Sequence, residues 1–399
     1  MTIQVAIIDN GVNPYFISSY FNSYEVKQGK VYSISNHSSQ NELTHGTICA
    51  AIFCNYTSNH EIHSLQIMQF DQRKTNVNDL VTALTWCLTN HIQLIHLSLG
   101  SIYFGDFEAI NQIISKLLSH NVIIVAACNN KNVTTIPASL PGVIGVRCDP
   151  LGQLGEGQFF YNDTSIHNIE IISSCDYTLM NEKLVNAIVK CNSFAAPFIS
   201  ATVCNIIQQG FYDIDSIKDS LQRKSVESHH IYTFDYYERC LDSSNIIDVP
   251  IVTMIDDTNN LARGLLIELI KYFQSDGYHC IGITPYKSDI TMQIYQMKNY
   301  WSESAFDLWA TVRMIYYTTL CDVIIMQIKD EDELWELQQQ GIVDLLVQTT
   351  EGGEGQKQPL SLHCDLPVVS FHTCDYTANN LLSISRDLYT KIFKELDKS

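Results

Sequence analysis

The stretch CNSFAAPFISA, residues 191–201, places a serine directly before a run of small and apolar residues. From Phe194 to Ile207 the apolar positions leave no continuous polar face, which predicts a helix buried in a core. Pro197 fits such a helix only in its first turn, where its missing N–H would have no partner anyway. Ser193 is therefore predicted at or next to a helix N-terminus. It is either a capping residue or a functional group at the positive end of the helix dipole.

The composition is that of a globular chain with an acidic surface. The 399 residues suffice for two domains of ordinary size. The net charge of −19 argues against nucleic acid and anionic membranes as partners. The start, MTIQVAIID, lacks a signal-peptide pattern, and no run of about 18 apolar residues predicts a membrane span. We therefore expect a cytoplasmic protein.

The number and spacing of the cysteines indicate whether the protein lies in a reducing or an oxidising compartment. Thirteen of them are scattered along the chain, and none forms a C-x-x-C pair. This usage fits a reduced intracellular chain with buried thiols better than a disulfide framework or a zinc site. We expect no metal and no cofactor.

Short apolar runs alternate with helical stretches in both halves of the chain. Continuous apolar strands separated by helices predict an α/β fold, a parallel sheet with helices on both faces. A polar, weakly periodic stretch at 210–248 precedes a second, smaller α/β domain, so we predict domains at 1–249 and 250–399. The predicted strands of the first domain are 4–9, 94–100, 121–127, 142–148 and 169–174, with helices at 45–54, 78–91 and 106–120.

The second half has the layout of a nucleotide-binding domain without its motif. Its first predicted strand is followed by DDTNNLARG (256–264), where G-x-x-x-x-G-K-[ST] would be expected and is absent. This half only weakly resembles P-loop domains. EGGEG (351–355) is acidic and precedes no helical run, which indicates a flexible loop and not a phosphate cradle.

A serine nucleophile needs a base within hydrogen-bond reach, and that base needs an acid to orient it. In VAIIDNG (5–11) the apolar run ends on Asp9, and Gly11 allows a sharp turn after it. In LTHGTICAAIF (43–53) His45 opens another buried helix, with Gly46 leaving space behind it. Taken singly, Asp9 could be a turn residue and His45 a core histidine. Together with Ser193 they lie at element ends of one predicted sheet.

These stretches resemble a known family. VAIIDNG, HGT, LSLGS, VIIVAACNN and NSFAAP follow, in order, the motif series of the subtilisin-like serine proteases, over roughly residues 3–209. The resemblance implies the chain order of that family's triad, Asp9, His45 and Ser193. Asp9 would hold the imidazole tautomer, His45 would take the serine proton, and Ser193 would attack the scissile carbonyl.

The same resemblance implies two further sets of residues. Asn130 falls on the catalytic asparagine of the oxyanion hole, and Asn129 on the glycine before it, a position that Asn tolerates if the backbone is left-handed. A register one residue off would exchange the two asparagines. Ser98, Leu99 and Gly100 match the strand edge that pairs with an extended substrate. No acidic loop assigns a calcium site.

Two residues depart from the family pattern. The glycine and threonine usual before the nucleophile are Cys191 and Asn192 here. A β-carbon at 191 narrows the predicted pocket, and the thiol is either an inert buried group or a site of oxidation.

Three functions remain open from the sequence. The first is an intracellular serine endopeptidase that works through an acyl-enzyme and removes the leader of a ribosomally made precursor peptide. Because the first strand begins at residue 3, we expect no N-terminal pro-segment. The alternative is a pseudoprotease that binds a peptide without cutting it. The third is a peptidase regulated by a nucleotide on its second domain. The partner in the first two is a peptide, and the sequence carries no signal for an oligomeric state.

Overall fold

The structure is a computed structural model in which the chain divides into two compact units, Met1–His229 and His230–Ser399. It describes residues 2–17, 21–35, 43–68, 76–131, 133–162, 165, 167–179, 181–227, 247–255, 261–297, 308–339, 341–350, 366–372 and 381–397. The domain boundary at 249/250 stays a prediction, because residues 228–246 lie outside this description.

The first unit is built on a nine-stranded sheet. Its strand order is β3-β2-β4-β1-β5-β6-β7-β9-β8, parallel except for the pairs β2–β3 and β8–β9. The strands are β1 (Ile3–Asp9), β2 (Phe21–Lys27), β3 (Lys30–Ile34), β4 (His60–Gln66), β5 (Leu94–Leu97), β6 (Ile123–Ala127), β7 (Ile144–Cys148), β8 (Phe159–Tyr161) and β9 (Ile171–Ser173). Four of them, β2, β3, β4 and β8, are absent from the strands predicted from the sequence.

Helices cover both faces of this sheet. They are α1 (His45–Tyr56), α2 (Val77–Thr89), α3 (Phe107–Ser119), α4 (Glu182–Ala187), α5 (Asn192–Gln208) and α6 (Ile214–Lys224). In β1, Val5 and Ile7 pack into the core that contains α1 and α5, while Ala6 and Ile8 pack into the core that contains α2 and α3. Successive side chains of a strand point to opposite faces, so a fully apolar strand is what a two-sided core requires. The predicted α/β architecture is confirmed.

The second unit has a six-stranded sheet of its own. Its order is β12-β11-β13-β10-β14-β15, and every pair is parallel. The strands are β10 (Ile251–Ile255), β11 (Cys280–Thr284), β12 (Ile294–Gln296), β13 (Val323–Ile328), β14 (Leu345–Thr350) and β15 (Val368–His372). The helices are α7 (Leu261–Ser275), α8 (Leu308–Thr319), α9 (Glu331–Gln339) and α10 (Leu381–Leu396).

The two loops considered for phosphate binding fall largely outside the description. Residues 256–260 of DDTNNLARG and the whole of EGGEG (351–355) lie there, so the interpretation of both loops stays a prediction. Across the described residues, no helix has the length and apolarity needed to span a bilayer.

Candidate active site

The carboxylate of Asp9 lies at the carboxyl end of β1, between strands β4 and β5. Only 1% of the residue is exposed, and both of its oxygens are used. Oδ1 accepts from the Asn10 N–H at 2.7 Å, and Oδ2 is 2.8 Å from Nδ1 of His45. The carboxylate accepts this hydrogen bond from Nδ1, and in a neutral imidazole that donates in this way Nε2 is the nitrogen without a proton.

Close packing brings His45 to this carboxylate. His45 is the first residue of α1, which Thr44 caps by accepting the Thr47 N–H at 3.1 Å. A β-carbon on Gly46 would lie 2.6 Å from the backbone oxygen of Gly11, so only glycine lets the start of α1 approach the turn after β1. Gly11 has φ +95, the left-handed turn expected after the strand.

An unexpected thiol lies beneath the Asp9–His45 pair. Cys49 follows His45 by one turn of α1 and is fully buried. Its Sγ lies 3.8 Å from Nδ1 of His45, 4.0 Å from Oδ2 of Asp9 and 3.4 Å from Oγ of Ser98. Burial lowers the pKa of His45, but Cys49 and the Asp9 carboxylate outweigh it and hold that pKa above its ordinary value. Sequence reasoning missed Cys49, although its position four residues after His45 on a helix places both on one face.

Ser193 lies in the first turn of α5. The helix begins at Asn192, and Cys191 is the N-cap residue without a side-chain cap bond, so the interpretation of Ser193 as the cap is wrong. Pro197 was expected in the first turn and instead lies in the second, inside the helix. The reason is that the Ser193 carbonyl has a substitute donor. It accepts from Oγ of Ser98 at 2.9 Å and lies 3.7 Å from Sγ of Cys49.

The Ser193 hydroxyl is directed toward the backbone of Ser98. Its Oγ donates to the backbone oxygen of Ser98 at 3.3 Å, and within the described part of the chain no hydrogen bond joins it to His45. The His45 ring stacks on Phe194, the residue after the serine, with centroids 4.9 Å apart. The structure therefore brings Asp9, His45 and Ser193 to one end of the sheet.

The two asparagines have different surroundings. Oδ1 of Asn130 accepts from the N–H of Asn192 at 3.0 Å, which fixes the exposed Asn130 amide beside the start of α5. Oδ1 of Asn129 instead accepts from the N–H of Lys131 at 2.8 Å. Asn129 is not among the described residues with positive φ, so its backbone makes no use of the left-handed region that Asn tolerates.

Asn192 stands where subtilisin-like proteases usually have threonine, and its side chain connects three segments through hydrogen bonds. Its Nδ2 donates to the Asn129 oxygen at 2.8 Å, and its Oδ1 accepts from the Cys148 N–H at 2.8 Å. The amide thus joins the ends of β6 and β7 to the start of α5. Cys191 is half-buried, and burial raises the pKa of its thiol, which favours the inert protonated form.

The predicted substrate edge, Ser98 to Gly100, follows β5 directly, with Ser98 and Leu99 partly exposed and Gly100 exposed. A buried histidine contacts the first residue of this segment. His96 lies 2.8 Å from Oγ of Ser98 through Nε2 and 2.8 Å from Oγ of Ser200 through Nδ1. Burial lowers the pKa of His96 to about 4, so its ring is neutral and joins β5 to α5.

Comparison with known proteins supports the motif-based resemblance. Residues 2–149 match the family model Peptidase_S8, the subtilase family, so the predicted resemblance is confirmed for this N-terminal region. The matched range includes Asp9, His45 and Asn130 and ends before Ser193. No curated protein matches the sequence.

Several solved structures are similar to part of the chain. The prenylagaramide maturation protease PagA is 19% identical, with 57% of this chain and 84% of that chain covered and a TM-score of 0.40. The patellamide maturation protease PatA is 20% identical, with 58% and 89% covered and a TM-score of 0.41. A lanthipeptide protease is 14% identical, with 57% and 82% covered and a TM-score of 0.43.

Proposed function

We propose that the first unit is a serine endopeptidase in which Ser193 is the nucleophile, His45 the general base and Asp9 the residue that orients the base. One observation carries the proposal. A buried carboxylate holds Nδ1 of a partly exposed histidine at 2.8 Å, and the histidine ring stacks on Phe194, the residue after Ser193 in the first turn of a buried helix. This is the nucleophile, base and orienting acid that acyl transfer requires.

The chemistry follows from these positions. A rotation of the Ser193 side chain moves its hydroxyl from the Ser98 oxygen toward Nε2 of His45. Nε2 takes the proton as Oγ attacks the peptide carbonyl carbon, and Asp9 stabilises the imidazolium that forms. The imidazolium then gives its proton to the leaving amine, which breaks the C–N bond and leaves an acyl-enzyme. Water, deprotonated by the same nitrogen, hydrolyses the ester and restores Ser193.

Two donors are available for the oxyanion of the tetrahedral intermediate. The N–H of Ser193 belongs to the first turn of α5, where backbone N–H groups have no intrahelical acceptor. The Asn130 amide is held next to it through its Oδ1, which leaves Nδ2 to donate. Such donors act where negative charge develops in the transition state.

We propose further that the substrate is a ribosomally made precursor peptide from which a leader is removed. An unfolded peptide can pair its backbone with the partly exposed Ser98–Gly100 segment, as in strand addition. An intracellular location is part of this proposal, because the free thiols Cys49, Cys128 and Cys148 suit a reducing compartment.

The test is mass spectrometry of peptide pools incubated with the wild-type protein and with Ser193→Ala. We expect new peptide termini that appear with the wild type only. Identical peptide pools from both proteins, at any incubation time, would contradict endopeptidase activity.

A second candidate is a peptide-binding protein that does not cut. The observation favouring it is the Ser193 hydroxyl, which is bonded to the Ser98 oxygen and not to His45. In the same experiment, peptides retained by the wild type and by Ser193→Ala alike, with no new termini in either pool, would favour binding over cleavage.

A further inference from the structure

The position of the proposed nucleophile fixes where a substrate side chain must go. The reacting carbonyl carbon has to reach Oγ of Ser193, near the Ser98 oxygen, while its oxygen faces Asn130. The residue that supplies this carbonyl therefore lies between the segments after β5 and β6, two neighbouring parallel strands. Its side chain points into the gap between Ser98–Ser101 and Cys128–Asn130.

Thr135 and Ile136 fill that gap and bind both of its walls. On one side, the Thr135 hydroxyl accepts from the Asn129 N–H at 3.0 Å and donates to the Val133 oxygen at 2.7 Å. On the other side, Ile136 pairs with Ser101 through two backbone hydrogen bonds of 2.8 and 2.9 Å. Both hydrogen-bonding functions of the hydroxyl are used, so Thr135 has a single fixed position.

The space above Thr135 is small. A β-carbon built on Gly100 would lie 2.8 Å from the methyl carbon Cγ2 of Thr135 and 2.7 Å from the Ile136 oxygen. Thr135 is 2% exposed, Ile136 0% and Cys128 4%, although Gly100 and Asn130 beside them are exposed. A deep open pocket would expose the residues at its floor. The recess therefore ends at the Thr135 methyl group, close beneath the substrate edge.

We propose that Thr135 determines specificity by closing this recess, so that the protein accepts glycine, alanine or serine immediately before the scissile bond. This inference rests on the proposed function. A longer side chain such as leucine or phenylalanine would have to displace Thr135, which is tied to Asn129 and Val133. Overfilling a packed interior in this way is unfavourable.

The experiment compares peptidyl phosphonate esters that differ only in the residue carrying phosphorus, an analogue of glycine, alanine or phenylalanine. Ser193 Oγ forms a bond to phosphorus and a phenolate leaves, so the adduct mass reports each reaction. A small fluorophosphonate without a side chain measures Ser193 reactivity independently of the recess. We expect the glycine and alanine esters to react at least about tenfold faster than the phenylalanine ester.

Two matched variants test the role of the methyl group. Thr135→Ser keeps the hydroxyl with both hydrogen bonds and removes Cγ2, so it should reduce the preference for the small esters. Thr135→Val keeps the methyl and removes the hydroxyl, so it should retain that preference. Equal preference in the wild type and Thr135→Ser, both being folded, would contradict the assignment to Thr135.

The outcomes separate this inference from the proposed function. If the fluorophosphonate labels Ser193 and the phenylalanine ester reacts as fast as the alanine ester, the closed recess is wrong and the nucleophile stands. If the fluorophosphonate labels Ser193 and no peptidyl ester reacts, the inference is also overturned. If the fluorophosphonate does not label Ser193, the proposed function fails and the inference with it.

Discussion

Replacing Asn130 separates its proposed role in catalysis from its role in holding the helix start. Asn130→Ala removes Nδ2, the proposed oxyanion donor, and Oδ1, the acceptor for the Asn192 N–H at 3.0 Å. Loss of one oxyanion donor typically costs about 2.7–4 kcal/mol of transition-state stabilisation, so kcat should fall by about 10²–10³ with little change in KM. Loss of the Asn192 hydrogen bond should lower the free energy of unfolding by about 1 kcal/mol.

Two matched variants assign these effects to separate atoms. Asn130→Asp keeps an oxygen for the Asn192 N–H but removes the donor, so stability should stay closer to wild type while the kcat defect remains. Asn129→Ala loses only an acceptor for the Lys131 N–H and should leave kcat near the wild-type value. Steady-state kinetics on a cleavable peptide and chemical denaturation measure both quantities. A large kcat defect in Asn129→Ala with near-normal Asn130→Ala would refute the register assigned to this turn.

Three further predictions concern the histidines and their surroundings. Gly46→Ala should lower the free energy of unfolding by about 1–3 kcal/mol and reduce kcat. The new β-carbon would lie 2.6 Å from the Gly11 oxygen and push His45 away from Asp9. Chemical denaturation and steady-state kinetics measure the two effects. Because the pKa of His45 is raised, the acid limb of the pH profile of kcat/KM should lie above pH 6.5. Asp9→Asn should move that limb to lower pH. An acid limb at the same pH in Asp9→Asn and in the wild type would contradict a role for Asp9. The pKa of His96 is about 4 in the folded protein, below its unfolded value, so the neutral ring contributes stability above pH 6.5. As the pH falls from 6.5 toward 4, the free energy of unfolding should drop by about 3 kcal/mol. His96→Asn should flatten that part of the pH–stability curve.

The sequence was sufficient to predict the elements that carry the proposed triad. Asp9 ends a strand with the apolar run Val5–Ile8, and His45 and Ser193 lie in the first turns of helices that are buried on most sides. Such elements give strong local signals, because a two-sided core leaves no polar face in their sequences.

The missed strands show where those signals fail. β4, with the sequence HEIHSLQ, mixes buried and half-buried positions, and β3 is an edge strand with mostly exposed side chains. Neither forms a continuous apolar run. β4 pairs with β1, a segment distant in sequence, while β3 forms a hairpin with the neighbouring strand β2.

The missed site residues depend on tertiary contacts in the same way. In the sequence, Cys49 cannot be distinguished from the other small residues of a buried helix. Its proximity to Asp9 arises only when β1 and α1 pack together. Thr135 lies two residues before Pro137 in an irregular segment, and its position between two walls follows from the pairing of Ile136 with Ser101.

The mass and location of a fluorophosphonate adduct on the full chain test the role of Ser193 as the nucleophile. We expect one phosphonyl group per chain, located on the peptide that contains Ser193, and no adduct in Ser193→Ala. Labelling should be much slower in His45→Ala, because the base that activates the serine is then missing. An adduct on another residue, labelling that persists in Ser193→Ala, or a folded wild type that never reacts would contradict this role.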